Sequence, residues 1–146
     1  MDVKSLNQSD AAYIAGLIDG EGTITLTRKH QNENRQLAIS ISNTEKDLLD
    51  FVLATIGAGK ITKKRTTHSH HTPSYAYAIY NRQALSLLNQ IHLYLRTYKR
   101  DRATLILRDY LALTPRNGKY SEQLQIARER FETNLLNIKP TTNYPQ

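Results

Sequence analysis

The chemistry in this chain is concentrated in one short stretch, Ile14-Ala15-Gly16-Leu17-Ile18-Asp19-Gly20-Glu21-Gly22. Two carboxylates, Asp19 and Glu21, flank a glycine where an apolar, helix-spaced segment breaks off. Carboxylates and free carbonyls are hard oxygen donors of the kind that suit Mg²⁺. The same run is also what a plain helix-ending turn looks like, and residue types alone leave both readings open. Other chemistries are narrower. With no cysteine in the chain, disulfide frameworks, thiolate nucleophiles and zinc ribbons are excluded. His68, His70 and His71 lack paired acids and have poor spacing for a closed metal site.

The elements that must position these residues follow from the hydrophobic periodicity. Ser9 caps a helix with Asp10 in its first turn. The helix reads Ala11 to Ile18, with Tyr13, Ile14, Leu17 and Ile18 as its apolar contacts and Ala12, Ala15 and Gly16 as a second, very small face. Two alternating segments follow. Ile24 and Leu26 oppose Thr23, Thr25, Thr27 and Lys29. Leu37, Ile39 and Ile41 oppose Gln36, Ala38, Ser40 and Ser42. Such period-2 alternation marks strands with one buried and one polar face, and the polar run from His30 to Asn34 makes a hairpin.

Thr44, with Asp47 close behind it, caps a helix striped with Leu48, Leu49, Val52, Leu53 and Ile56, which Gly57 ends. A second strand pair spans about Lys60 to Thr67 and Ser74 to Tyr80. If Ala76 and Ala78 face outward, Tyr75 and Tyr77 face the helices. Asn81 caps a helix carrying Leu85, Leu88 and Ile91. A further helix runs from about Lys99 to Leu113 and is broken by Pro115-Arg116-Asn117-Gly118. The last, about Ser121 to Leu136, carries Leu124, Ala127, Phe131 and Leu135, and the tail after Lys139 is expected to be loose. The whole is expected to form one α+β domain, residues 1–146: an αββαββα core with a four-stranded antiparallel sheet, helices on one face, and extra C-terminal helices.

The chain is basic, with 20 Lys plus Arg against 13 Asp plus Glu and a formal net charge of +7. An excess of this size serves solubility or meets a polyanion, of which nucleic acid is the commonest. The distribution is uneven. Lys60, Lys63, Lys64 and Arg65 fall together without an acid, and Arg96, Lys99, Arg100, Arg102 and Arg108 share their segment only with Asp101. A polar sheet face beside basic clusters can lie in a DNA major groove, although an ordinary solvated face has the same composition. The segment Met1 to Asp10 has no apolar core of a secretory signal. No apolar run approaches the roughly 20 residues that span a bilayer. The expectation is a soluble protein inside a cell or organelle, with no membrane partner.

Residues 14 to 22 closely resemble the LAGLIDADG motif. Ala15, Gly16, Leu17, Ile18, Asp19 and Gly22 match letter for letter, while Ile14 and Glu21 are conservative replacements and Gly20 is a common variant. The strand and helix order that follows also resembles this family as far as about Leu113. The resemblance implies an intron-encoded homing endonuclease that makes a staggered double-strand break in a long, pseudo-palindromic DNA target by metal-dependent phosphodiester hydrolysis. With one motif, it implies a homodimer joined through Ala12, Ala15, Gly16 and Asp19, Asp19 being the acid that stabilises the helix junction. Glu21 corresponds to the metal-binding acid and the Gly20 carbonyl to the backbone ligand beside it. The implied cofactor is Mg²⁺, with Mn²⁺ substituting and Ca²⁺ binding without turnover.

Asn43 corresponds to a family position that orders water near the scissile phosphate, and it could equally be a helix-cap residue. Lys99 corresponds to the basic residue that stabilises charge or polarises the nucleophile, with a phosphate-binding surface lysine as the alternative. Lys46 is a weaker candidate for the other basic site residue. The outward sheet residues expected to meet base edges are Thr23, Thr25, Thr27, Lys29, Gln36, Ala38, Ser40, Thr62, Lys64, Ala76 and Ala78. Lys63, Arg65 and the Arg96 region are expected to contact phosphates, and the His68–His71 loop the DNA backbone. Two other functions fit the same scaffold: an intron maturase acting on RNA, and a DNA-binding regulator without nuclease activity. Relatives of those kinds can lose the catalytic acid, and this chain keeps one at Glu21.

Overall fold

The computed structural model describes residues 2–64 and 72–140. The elements run α1 (Gln8–Glu21), β1 (Gly22–Thr27), β2 (Gln36–Asn43), α2 (Lys46–Ile56), β3 (Lys60–Lys63), β4 (Tyr75–Tyr80), α3 (Asn81–Ile91), a 3₁₀ turn at His92–Tyr94, α4 (Tyr98–Asp109) and α5 (Glu122–Leu136). The strands form one antiparallel sheet in the order β1-β2-β4-β3. This is the expected α+β architecture. α1, α2 and α3 pack on one face of the sheet, while α4 and α5 close against the outer strand β1. Covering β1 removes an edge that could otherwise pair with another chain.

The threonine–aliphatic alternation of β1 translates directly into burial. Ile24 and Leu26 are sealed in the core, and Thr23, Thr25 and Thr27 stay accessible. In β2 the same holds for Leu37, Ile39 and Ile41, all of which are buried. These side chains meet Ile14, Ile18, Leu49, Val52, Ile56, Leu87, Leu88 and Ile91 from the helices in a single cluster. Each such burial stabilises the fold by about 1.5–3 kcal/mol. Tyr77 faces the helices as expected, fully buried, its hydroxyl donating to the Ala58 carbonyl at 2.6 Å.

α1 starts earlier and ends later than its sequence suggests. The cap is Asn7, not Ser9; the Asn7 side chain accepts the Asp10 amide at 2.8 Å. The helix continues through Gly20 to Glu21 because its last carbonyls find donors: the Gly22 amide and the Lys99 ammonium both bond Ile18 O. Gly22 is required by space. A Cβ there would lie 2.8 Å from both the Ile18 Cα and the Ser40 carbonyl oxygen, so the helix end and β2 can approach this closely only at glycine. The buried face of α1 is Ala11, Ile14, Ala15 and Ile18. Tyr13, expected in that face, is 49% exposed and meets the ring of Phe51 edge-on at 5.7 Å.

Other boundaries differ for local reasons. Thr44 does not cap α2; Glu45 is the cap residue, with no side-chain bond, and the Glu45 amide is taken by Asn43. Gly57 ends α2 in the left-handed conformation at φ 82°, as its position predicts. β3 spans Lys60–Lys63, the expected extension over 65–67 lying outside the described residues, and β4 begins at Tyr75 rather than Ser74. Residues Arg65, His68, His70 and His71 lie outside the described residues. Asn81 is the first residue of α3 rather than its cap and holds φ 53°, a conformation asparagine tolerates better than most side chains. Leu85 is only partly buried, and Ala84 and Leu87 fill its expected place. α4 ends at Asp109, short of Leu113, in a turn where the Thr114 amide reaches Leu111 O and Arg128 takes Leu113 O. In α5 Ala127 faces solvent, and the buried positions beside Phe131 and Leu135 are Arg128 and Glu132.

Candidate functional site

The last turn of α1 places Glu21 at the junction with β1, exposed to solvent. Asn43, the last residue of β2, reaches across so that its side-chain amide donates to Glu21 Oε2 at 2.6 Å. The other end of the same side chain accepts the Glu45 amide at 2.8 Å. Asn43 is not the cap residue of α2, which is Glu45, but it accepts the amide of that residue. It ties the entry to α2 and, from that fixed position, orients a carboxylate.

Asp19 and Lys99 join α1 to α4 in both directions. The Asp19 carboxylate accepts the backbone amides of Arg96 at 2.7 Å and Thr97 at 3.2 Å, and the Thr97 hydroxyl at 2.6 Å. Thr97 in turn caps α4. From the first turn of α4, the Lys99 ammonium donates to Ile18 O at 2.7 Å and Asp19 O at 2.9 Å. A helix leaves its last carbonyls unsatisfied and its C-terminus partly negative, and a buried lysine answers both. Lys99 is only 7% exposed, so it is not a surface phosphate-binding lysine. Burial lowers its pKa below the ordinary lysine value, with the nearby Asp19 charge opposing that shift. Sequence reasoning missed Thr97, although a threonine before an acidic first turn is itself a cap signal.

Lys46 pairs with Asp50, and the side chain that bonds Glu21 is Asn43. The Lys46 ammonium bonds both oxygens of Asp50 one helical turn on, at 2.9 and 3.2 Å, and that carboxylate raises its pKa. Ala15 requires a correction as an interface residue. It is fully buried in this chain's own core. The exposed small positions of α1 are Ala12, Gly16 and Gly20, and a Cβ built at Gly16 or Gly20 would meet nothing within 4 Å. Asp19 is likewise committed within the chain by the three bonds it accepts.

The open face of the sheet follows from the register. Residues paired across strands share a face, so the rows are Thr27–Gln36, Thr25–Ala38–Tyr80, Thr23–Ser40–Ala78–Lys60, and Ser42–Ala76–Thr62. Thr23 and Ser40 hydroxyls bond each other at 2.7 Å. Ala38 lies in the correct row but is almost fully covered, 7% exposed. Lys29 and Lys64 fall just past the ends of β1 and β3 and are exposed, and Lys63 pairs with Tyr75 in the alternate parity. The rows add Tyr80 and Lys60, and they confirm on this face Ser42, which the alternation had placed there without counting it among the residues expected to meet bases. Extending the Ala76, Ala78 alternation by one step would have found Tyr80. The Lys60 ammonium sits 5.8 Å from the Tyr80 ring centroid.

The described residues contain no group of three or more His, Asp or Glu side chains that could hold a metal ion. Glu21 is one exposed carboxylate with the Gly20 backbone beside it. That donor set fits a hard cation such as Mg²⁺, which keeps several waters and is commonly held by one or two carboxylates together with substrate phosphates. No helix among the described residues is long and apolar enough to cross a membrane.

A family model described as a LAGLIDADG-like domain matches residues 8–100. Comparison with curated proteins gives no match. Among solved structures, the homing endonuclease I-CvuI in complex with its target superposes with a TM-score of 0.73 at 15% identity, covering 96% of this chain and 90% of that one. The archaeal intron-encoded homing endonuclease I-Vdi141I, complexed with DNA, gives 0.61 at 16% identity, covering 93% and 87%. The LAGLIDADG homing endonuclease I-GzeII with its DNA target gives 0.64 at 15% identity, covering 90% of this chain and 44% of the longer relative.

Proposed function

This chain belongs to the LAGLIDADG-like family, and from that premise we propose that it is a site-specific DNA endonuclease acting as a homodimer. The observation that carries the reading is the oriented carboxylate. Glu21 is exposed at the end of α1, held by Asn43, at the edge of an open sheet face with threonine, serine, glutamine and lysine side chains. A solvated helix-ending turn has no need of a second side chain to fix its acid. The polar face and the net charge of +7 suit a duplex whose phosphates position the protein and whose base edges specify the site.

Two copies of the chain, meeting along Ala12, Gly16 and Gly20, bring two Glu21 carboxylates to one duplex. Each copy then serves one strand, and the product is a staggered double-strand break in a pseudo-palindromic target. Asn43 fixes the rotamer of Glu21 and leaves its second oxygen, Oε1, free of that bond. Lys99 neutralises the negative end of α1 from beneath, so that the acid and an incoming phosphate do not face an uncompensated helix terminus. Glu21 and the Gly20 carbonyl would hold the divalent cation, Mg²⁺ or Mn²⁺, which when bound lowers the pKa of water and stabilises the attacking and leaving oxygens of phosphodiester hydrolysis. The protein acts inside a cell or organelle, where its DNA is. Replacing Gly16 with leucine should block assembly by overpacking the helix contact, read by sedimentation at micromolar concentration.

The test is cleavage of a randomised duplex library with Mg²⁺, followed by sequencing of the cut ends. One recurrent site with two related half-sites and offset cuts on the two strands is expected. Selective binding without cutting in any divalent metal would instead place the chain with the regulators or maturases of this scaffold.

A further inference from the structure

The β1–β2 tip, residues 28–35, is held from within and from below. Inside it, one Glu33 carboxylate oxygen accepts the amides of Lys29 at 2.8 Å and His30 at 3.1 Å, and the Arg28 guanidinium donates to Gln31 O at 3.2 Å. Those two backbone bonds hold the Glu33 carboxyl below its ordinary pKa. Arg28, Lys29 and His30 are thereby presented to solvent. From below, α5 takes hold of the tip's return strand. Asn34 and Gln125 exchange a reciprocal pair of amide bonds, at 3.2 and 2.8 Å. Next to them the Arg35 amide donates to Glu132 Oε2 at 3.1 Å, and the Arg35 carbonyl accepts from Arg128 at 2.6 Å. α5 lies outside the residues matched by the family model, which end at 100.

The register gives this support a consequence. Gly22 pairs with Ile41 at the Glu21 end of the sheet, and Thr27 pairs with Gln36 at the other end. The tip therefore extends the open face away from the candidate catalytic acid, toward whatever part of a duplex lies farthest from the cut. A hairpin tip with no support would pay ordering entropy on binding and adapt to many sequences. One fixed in advance loses less and discriminates more.

We propose that α5 sets the pose of the β1–β2 tip, and that Gln125 and Asn34 are positioning residues for reading the outermost base pairs of each half-site. This rests on the DNA-cleaving reading above. Neither side chain touches the DNA in this role; the Asn34–Gln125 pair fixes the backbone from which Lys29 and Gln36 act. A merely structural pair would lower stability and leave base preference alone.

The experiment uses the full chain as wild type, Gln125→Ala, Asn34→Ala and the double variant. Each is measured for binding to duplexes randomised across the whole selected site, and for single-turnover cleavage of the cognate duplex at saturation with Mg²⁺. Amide exchange across residues 28–35 is followed in the free proteins. Each single change should weaken cognate binding about three- to tenfold, the effect of one neutral hydrogen bond. Lost selectivity should be confined to the outermost positions, with the saturated rate unchanged and faster exchange at Lys29 and His30. The double variant should be no worse than either single one. Wild-type selectivity in the variants, a loss spread evenly to the central positions, or a fall in the saturated rate would overturn the proposal. If the wild-type protein itself selects no duplex, the DNA reading fails, and that failure shows in the wild-type arm before any variant is compared.

Discussion

Among the described residues, Lys99 and Arg128 are cations buried toward opposite ends of the sheet, and they are neutralised differently. Arg128, 1% exposed, lies near the β1–β2 tip. It bonds Glu132 at 3.0 Å, the carbonyls of Leu113 and Arg35, and the Thr114 hydroxyl, with its guanidinium 5.2 Å from the Tyr110 ring centroid and 5.6 Å from that of Phe131. Lys99, at the Glu21 end, has no carboxylate bonded to its ammonium. Its acceptors are two helix-end carbonyls, and its pKa is lowered by burial. The difference separates a brace from a poised group. Arg128 has an opposite charge and a full set of acceptors, which makes it a fixed cross-link among α5, the 113–114 turn and the tip. Lys99 gives two hydrogen bonds to a helix terminus whose next residues are the candidate catalytic ones.

The contrast can be broken at either end. Glu132→Ala should have the largest effect on folding, because it leaves a guanidinium buried without its charge partner. Breaking such a pair costs about 3–5 kcal/mol, measurable as a drop in the urea midpoint. Lys99→Met should cost less, about 1–3 kcal/mol, since it takes the donor from the Asp19 carbonyl while Ile18 O keeps the Gly22 amide, and it also removes the desolvation of a charge. Its effect should fall instead on cleavage, slowing turnover with binding retained.

A lysine whose pKa is lower folded than unfolded binds its proton more weakly in the native state. Stability therefore rises as pH climbs from the folded pKa toward the ordinary value of 10.5. Wild type should gain on Lys99→Met across that range, with both proteins unfolded by urea at each pH so that shared tyrosine ionisations cancel. A constant difference would mean that Lys99 is no more desolvated folded than unfolded. The smallest effect is expected from Thr97→Val, which removes the α4 cap and one bond to Asp19 and should lower stability by about 1 kcal/mol.

What the sequence made legible is what short-range pattern controls. Thr23 to Thr27 and Leu37 to Ile41 alternate with period 2, so their faces could be assigned before any pairing was known. Gly57 announced a helix end, and Ile14 to Gly22 announced a family. The ion pair of Arg128 and Glu132 carried no such signal, because two charges one turn apart on a helix are ordinarily a solvated pair. Only the docking of α5 on residues about the Arg35 position, 93 residues away, buries them. Ala15 looked like part of a small exposed stripe because Ala12 and Gly16 adjoin it. Helical rotation instead turns it onto the same side as Ile18 and Ala11. Asn43 was legible as a candidate but not in its partner, since the bond to Glu21 depends on how β2 ends beside α1.

In the proposed reaction, cutting depends on the Glu21 carboxylate. The most direct measurement compares wild type with Glu21→Gln on the selected duplex, following binding in Ca²⁺ and cleavage in Mg²⁺. The substitution keeps the shape and can still meet Asn43 but removes the charge that suits a hard cation. DNA binding should be retained or tighter, since a negative group beside the phosphates is gone, and cleavage should be lost on both strands. Full cutting by the Glu21→Gln protein would contradict that dependence.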